Sequence, residues 1–289
     1  MRTLQEKKEK LTARLKELGR VAVAYSSGVD STFLLAAAHE TLGENVTAVI
    51  GKTASFPERE YRDAVAFCEK LGVRYSVVEP DQMAVEGFRE NPPERCYLCK
   101  RALFSAFLEA AQKVPLADGT NADDSKDYRP GMRALRELGI VSPLREAGLT
   151  KADIRELSRE MGLPTWNKPS FACLATRIPC GEEITEEKLR MIEKAEECLF
   201  DLGFTQVRVR HHGDIARIEI DPAEMGRFLG RDTGEKAEIS GSTAPPDGAA
   251  AVEGHCVREI VTRRLKEIGF RYVTVDLGGY QTGSTNRTI

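Results

Sequence analysis

The sequence predicts an α/β fold, a doubly wound parallel sheet with a second, smaller α+β domain. Short apolar runs alternate with helix-forming segments through the first half, as repeated β-α-β units require. The second half changes to a helix, two alternating strands, and a further helix and strand. The length of 289 residues also exceeds what one core of ordinary size holds, so two domains are expected, 1–165 and 166–289.

Taken in order, residues 1–19 have helical periodicity and dense charge, with neither the apolar stretch nor the cleavage site of a secretory signal. Val21–Tyr25 is a continuous apolar run that reads as a buried strand; a polar Ser/Gly turn follows, then the strong helix former 32–38. Strands at 45–50 and 74–78 flank a helix at 58–71. A polar turn with Asn91-Pro92-Pro93 precedes a helix near 98–112, and a strand from Pro115 runs into the acidic loop 118–124. A helix spans about 151–161, and 163–180, with three prolines, reads as a functional loop joining the domains. Helices at 186–202 and 252–269 and strands at 206–211, 216–220 and 272–277 make the second domain; the Gly/Pro/Ser/Ala-rich stretch 230–251 is expected to be a mobile insertion.

Apolar residues make up 41% and charged residues 30%, with a formal net charge of −3, which is the composition of a soluble globular protein. That charge argues against a protein gripping long nucleic acid. No run approaches the roughly 20 apolar residues that span a bilayer, so a cytoplasmic protein without a membrane partner is expected. The cysteines, at 68, 96, 99, 173, 180, 198 and 256, number seven. An odd count in such a chain favours metal or thiol chemistry over a disulfide framework.

Ser26-Ser27-Gly28-Val29-Asp30-Ser31 stands where the first strand turns into a helix. Small residues there let backbone amides approach an anion, and the helix directs its partly positive N-terminus to the same place. Asp30 either caps the turn or helps to place Mg2+ between phosphates. The segment resembles the loop of the PP-loop ATP pyrophosphatases, S-G-G-x-D-S, with Ser27 in place of the first Gly. Ser27 fits such a turn if its φ is negative. The resemblance implies cleavage of ATP between its α- and β-phosphates, leaving an adenylated substrate.

Cys96-Tyr97-Leu98-Cys99-Lys100 is a C-x-x-C on a turn entering a helix, where the helix terminus and Lys100 favour thiolates. It is half of a metal site; Cys173 and Cys180 are the candidates for a further ligand. Lys168 and Arg177 flank Cys173, and a cationic setting there raises its thiolate fraction, unless both are solvated loop charges. Cys68, Cys198 and Cys256 lie in helical patterns and read as small core residues.

The motifs at 91–100, 118–124, 129–131, 168–179 and 276–284 together resemble the LarE family over nearly the whole chain, with 230–251 as the departure. The resemblance implies a sulfur transferase of nickel-pincer nucleotide synthesis, the cofactor of lactate racemase. ATP would adenylate a carboxylate of pyridinium-3,5-biscarboxylic acid mononucleotide, and sulfur would displace AMP. Sulfur would come from Cys173 itself or from a [4Fe-4S] cluster on Cys96, Cys99 and Cys173, with Cys180 as the alternative third ligand. A homo-oligomer is also implied. Arg208 and Arg210 alternate on a strand and share a face, suited to the substrate phosphate or to solvent. Lys100, Arg177 and Glu197 complete the substrate-side set. Rival readings are a tRNA-thiolating enzyme, which needs a basic RNA-binding surface, and a non-catalytic nucleotide-binding or electron-carrying protein.

Overall fold

A computed structural model describes residues 3–126, 130–230 and 256–281. The chain divides into two compact units, Met1–Cys173 and Leu174–Ile289. Nearly all of the 230–251 stretch, along with Arg129 and the end of the closing motif at 282–284, lies outside the described residues.

The first unit opens with α1 (Leu4–Leu18), started by a capping box in which Thr3 and Glu6 satisfy each other's backbone N–H groups. Next come β1 (Val21–Tyr25), α2 (Val29–Leu42), β2 (Val46–Gly51), α3 (Glu58–Leu71), β3 (Arg74–Val78), α4 (Arg95–Ala110), β4 (Leu116–Ala117), α5 (Pro130–Glu137), α6 (Pro143–Ala147) and α7 (Lys151–Glu160). The four strands pair in parallel in the order β3-β2-β1-β4. Every residue of β1 is buried, because the sheet is covered on both faces. Val21, Val23 and Tyr25 pack with α2 and Leu11 and Leu15 of α1. Ala22 and Ala24 turn to the layer of Phe104, Phe107 and Leu135. This is the doubly wound arrangement, and it sets the β1–α2 turn at the carboxyl edge of the sheet.

The second unit contains α8 (Glu186–Asp201), β5 (Val207–His212), β6 (Ile215–Ile220), α9 (Met225–Phe228), α10 (Val257–Ile268) and β7 (Tyr272–Val275). Its sheet has the order β5-β6-β7, antiparallel between the first pair and parallel between the second. Val207 and Val209 join Leu199, Ile218, Val261, Leu265 and Phe270 in the core. By the two-residue period of a strand, Arg208 and Arg210 are therefore turned to the opposite face.

One expected boundary moves with consequence. Helix α4 begins at Arg95, directly after Pro92-Pro93 and Glu94, so Cys96 and Cys99 lie within its opening turns rather than on a turn before it. Helix α6, of five residues, is too short to show a period in the sequence. Among the described residues no helix is long and apolar enough to cross a membrane.

Candidate active site

The turn after β1 departs from expectation at Ser27. Its φ is +56°, in the left-handed region, where a residue with a Cβ is strained by about 1–2 kcal/mol and glycine is not. Neighbouring groups hold it there. Ser27 is buried, and its Oγ accepts a 3.1 Å hydrogen bond from Lys168 Nζ. The same ammonium lies 2.8 Å from Glu60 Oε2 and 3.1 Å from Asp63 Oδ2. Arg155 of α7 secures the lysine's loop by donating to the carbonyls of Trp166 and Lys168. Lys168, read in the sequence as a cation for Cys173, is thus tied to the phosphate loop.

Gly28 precedes α2 in extended conformation without a side-chain cap, which leaves the helix's first-turn amides directed at the turn. Ser31 closes the loop: its Oγ accepts from Ser26 N at 3.3 Å, lies 3.2 Å from Ser26 Oγ and donates to Gly28 O at 3.3 Å.

Asp30 does not cap the helix. Its Oδ2 pairs with Lys151 Nζ at 2.6 Å, and its Oδ1 accepts from Asn121 Nδ2 at 3.4 Å. The loop 118–124 is bound around it. Asp118 accepts from Thr120 and Ser142, Asp124 accepts from the Asn121 backbone, and Asp123 accepts from the Lys151 backbone. Gly119 permits this approach, since a Cβ there would stand 3.0 Å from Ser31 N and 3.3 Å from the Asp30 carbonyl carbon. Lys151 and Asn121 are not marked by any local motif, although Lys151 opens a helix whose capping box, Thr150 with Asp153, is visible in the sequence.

The cysteines form a second group in the same unit. Arg95 Nη2 donates to Cys96 Sγ at 3.5 Å, and Gln82 Nε2 donates to Cys99 Sγ at 2.9 Å. Cys173 shares this neighbourhood: burial lowers the Arg95 pKa, but the charges of Cys173, Cys96 and Cys99 outweigh it and raise the value. Burial first, then the charge of Cys173, pushes the Cys99 thiol up to about 11, so by itself it stays protonated near neutrality. The stem of Lys100 lies against Gly131, whose Cβ would come within 2.7 Å of Lys100 Cδ. Among the described residues no group of three or more His, Cys, Asp or Glu side chains is arranged to hold a metal ion. Cys180 is exposed and belongs to the second unit. Cys68 and Cys198 are core residues, the former pushed up to about 12 by burial.

In the second unit Arg177 is fully buried and grips Glu196 with Nε and Nη2, at 2.8 and 2.9 Å. Its charge is matched there, which corrects its reading as a loop cation. Arg210 grips Glu219 in the same way, at 3.0 and 2.8 Å, and donates to Thr176 O. Arg208 donates to Val207 O, and its guanidinium lies 5.0 Å from the centre of the Tyr280 ring. Burial, then the charge of Arg177, lowers the Arg208 pKa to about 10, which leaves it cationic at neutral pH. Arg208 and Arg210 are thus buried rather than solvated. On α8 the carboxylate paired with Arg177 is Glu196, while its neighbour Glu197, the residue expected from the sequence, is half-buried. The apolar spacing Leu189, Ile192, Leu199 places position 196 on the inner face.

The parallel sheet and the uncapped helix after β1 define the class: a doubly wound α/β protein with an anion-binding turn at the carboxyl edge of its sheet. No family model matches the chain. It is 36% identical over 293 residues to pyridinium-3,5-bisthiocarboxylic acid mononucleotide synthase of Lactiplantibacillus plantarum, covering 100% of this chain and 97% of that protein. An uncharacterized Synechocystis protein is 37% identical, covering 99% of both chains. One of the component chains of the glutamine-hydrolyzing GMP synthase of Thermococcus kodakarensis is 26% identical over 197 residues, 61% of this chain and 62% of its own. The chain belongs to the LarE family, that of the Lactiplantibacillus synthase.

Proposed function

We propose that this chain adenylates a carboxylate of pyridinium-3,5-biscarboxylic acid mononucleotide and converts it to a thiocarboxylate, a step in nickel-pincer nucleotide synthesis. The observation that carries the reading is the presence, in one unit, of the phosphate loop and of the Cys96, Cys99 and Cys173 group. The substrate carboxylate attacks the α-phosphorus of ATP, the α–β bond breaks and pyrophosphate leaves. Sulfur then attacks the acyl carbon and AMP departs.

The first-turn amides of α2, with Ser26 and Ser31, bind the phosphates. Asp30 is a hard oxygen donor at the helix start, suited to Mg2+ between phosphate oxygens. Lys100 lies one residue beyond Cys99 and supports charge developing near the sulfur. Arg208 and Arg210 receive the substrate phosphate: both are buried on one face of β5, and a guanidinium can donate to two phosphate oxygens at once.

Sulfur is supplied either through a cluster or by Cys173, whose thioester with the substrate would lose the cysteine Cα proton and break its Cβ–Sγ bond, releasing the thiocarboxylate and leaving dehydroalanine. The reading through a cluster is supported by the all-thiol character of Cys96, Cys99 and Cys173, soft donors of the kind iron–sulfur groups take. Cys96, Cys99 and Cys173 would hold a [4Fe-4S] cluster, and such a group would supply sulfur at the sulfide level.

The test is to purify the protein without oxygen, record its visible absorption and iron content, then add ATP, Mg2+ and the pyridinium nucleotide. Pyrophosphate, AMP and a thiocarboxylate product are expected, with protein mass unchanged if the cluster supplies sulfur. Colourless protein lighter by one hydrogen sulfide assigns the sulfur to Cys173. Absence of pyrophosphate overturns the adenylation itself.

A further inference from the structure

We propose that Tyr280 is a positioning residue for the substrate phosphate: its ring, carried across the sheet by the turn after β7, fixes the Arg208 guanidinium so that Arg208 and Arg210 meet one phosphate together. The inference rests on the reading that these two arginines receive that phosphate, and extends it to the closing turn of the chain.

Strand register brings the parts together. In the antiparallel pair β5–β6, Val207 lies opposite Ile220 and Arg208 opposite Glu219. Val207 O accepts from Arg208 Nη1 at 2.6 Å, and Ile220 O accepts from the backbone N–H of Tyr280 at 2.7 Å. Tyr280 is thus tied to the residue that faces the one holding the guanidinium. Arg208 lies over its ring, 5.0 Å from the centre, within the distance at which an aromatic face attracts a cation. Arg208 is also buried, and that attraction is stronger for a desolvated cation than for an exposed one. One contact holds an N–H of the fork and the other limits its tilt, so less freedom is lost when the fork closes on an anion.

The turn that carries the ring is fixed at several points. Asp276 N–H donates to Ile218 O at 2.8 Å, its carbonyl accepts from Gly279 N at 3.0 Å, and its Oδ1 accepts from Gly278 N at 2.9 Å. Gly279 has φ +64°, and a Cβ there would stand 2.8 Å from Ile220 O, so a glycine is needed for the chain to pass this close to β6. Arg217 pairs through Nη1 with Asp276 Oδ2 at 2.5 Å and through Nη2 with Glu219 Oε1 at 3.2 Å. Glu219 is the carboxylate that Arg210 grips. Ion pairs therefore lead from Arg210 through Glu219 and Arg217 to Asp276, and the turn returns from Asp276 to the ring beneath Arg208. The two arginines are held in relation to each other through the turn as well as through β5.

The experiment uses the full chain as wild type, Tyr280→Leu, Tyr280→Phe, Asp276→Asn and Arg208→Lys, assayed for pyrophosphate release with ATP, Mg2+ and the pyridinium nucleotide. Tyr280→Leu should raise KM for the pyridinium nucleotide about tenfold while kcat and KM for ATP stay near wild type, the pattern of lost phosphate binding rather than lost folding. Tyr280→Phe keeps the ring and should restore the wild-type KM; rises of equal size in both variants would overturn the part given to the ring. Asp276→Asn keeps the acceptor for Gly278 and removes the charge facing Arg217. It should give a smaller rise of the same kind, and it carries the test if Tyr280→Leu does not fold. A wild-type KM in these variants beside a raised KM in Arg208→Lys would overturn the role of Tyr280 and leave the phosphate reading standing. A wild-type KM in Arg208→Lys would overturn the phosphate reading, and this role with it. Nitrogen magnetic resonance of arginine-labelled protein needs no turnover and decides the contact even if the chain releases no pyrophosphate. The Arg208 Nε–H signal, assigned by its loss in Arg208→Lys, should move in Tyr280→Leu and stay in Tyr280→Phe, and an unmoved signal in Tyr280→Leu would overturn the proposal.

Discussion

Lys168 Nζ donates to the Ser27 hydroxyl across 141 positions of sequence, and that hydroxyl belongs to a residue held at φ +56°. The phosphate loop therefore keeps an unfavourable backbone conformation with help from the segment that leads to Cys173.

Glycine at position 27 should release the strain, although it also loosens the unfolded chain. Alanine should keep the strain and leave Lys168 without its hydroxyl acceptor, a hydrogen bond whose loss costs about 1 kcal/mol. In urea unfolding, Ser27→Gly is expected to exceed Ser27→Ala in stability by about 1 kcal/mol. Equal values would mean that the backbone relaxes once the serine is gone.

Gly119→Ala places a methyl 3.0 Å from Ser31 N and 3.3 Å from the Asp30 carbonyl carbon, backbone atoms at the start of α2 that have no rotamer with which to retreat. A loss of nucleotide affinity of about tenfold, equal to about 1.4 kcal/mol, is expected by calorimetric titration with a non-hydrolysable ATP analogue. Unchanged affinity would show that the 118–124 loop yields instead.

Arg210→Met removes the two-pronged partner of Glu219, which is 1% exposed, and should destabilise the protein by about 3–5 kcal/mol. Glu219 also accepts from Arg217 at 3.2 Å, so the lower end of that range is expected. The pair Arg210→Met with Glu219→Leu should recover most of the stability, because an apolar pair can replace a buried ionic one. If Arg210 receives the substrate phosphate, the double variant remains folded while its KM for the pyridinium nucleotide rises. Recovery of both would make the pair purely structural.

His211 gives the second unit an acid-side weakness. It is buried, its Nδ1 has no hydrogen-bond partner among the described residues, and burial together with the charge of Lys188 lowers its pKa below the usual 6.5. The unfolded chain thus binds a proton more readily than the folded one. The contribution of this group to stability is fully present above about pH 6.5 and is lost as pH falls below that value. Melting temperature should drop between pH 7 and pH 5, and His211→Leu should reduce that drop. An identical pH profile in the variant would assign the effect to other groups, with His212 next in line, since its pKa is lowered as well.

Much of this architecture could be read from local pattern. Val21–Tyr25, Glu58–Leu71 and Arg74–Val78 fall where the apolar runs and helical period predict, because each is decided by its own residues. The phosphate loop was legible for the same reason, but its φ at Ser27 was not: the groups that hold it, Lys168, Glu60 and Asp63, are remote in sequence. Strand alternation gave the shared face of Arg208 and Arg210 without giving their burial, which depends on Glu219 from the next strand and on Tyr280. Lys151 beside Asp30 and Gln82 beside Cys99 were invisible because only tertiary packing brings them together.

Strand β1, from which the phosphate loop departs, has a parallel neighbour on each edge and contributes side chains to both apolar layers. Such a strand has no frayed side from which to open, so its amides exchange with solvent only when the whole unit comes apart. The nucleotide consequently meets a turn whose leading end is already fixed, and little of its binding free energy is consumed in ordering that backbone.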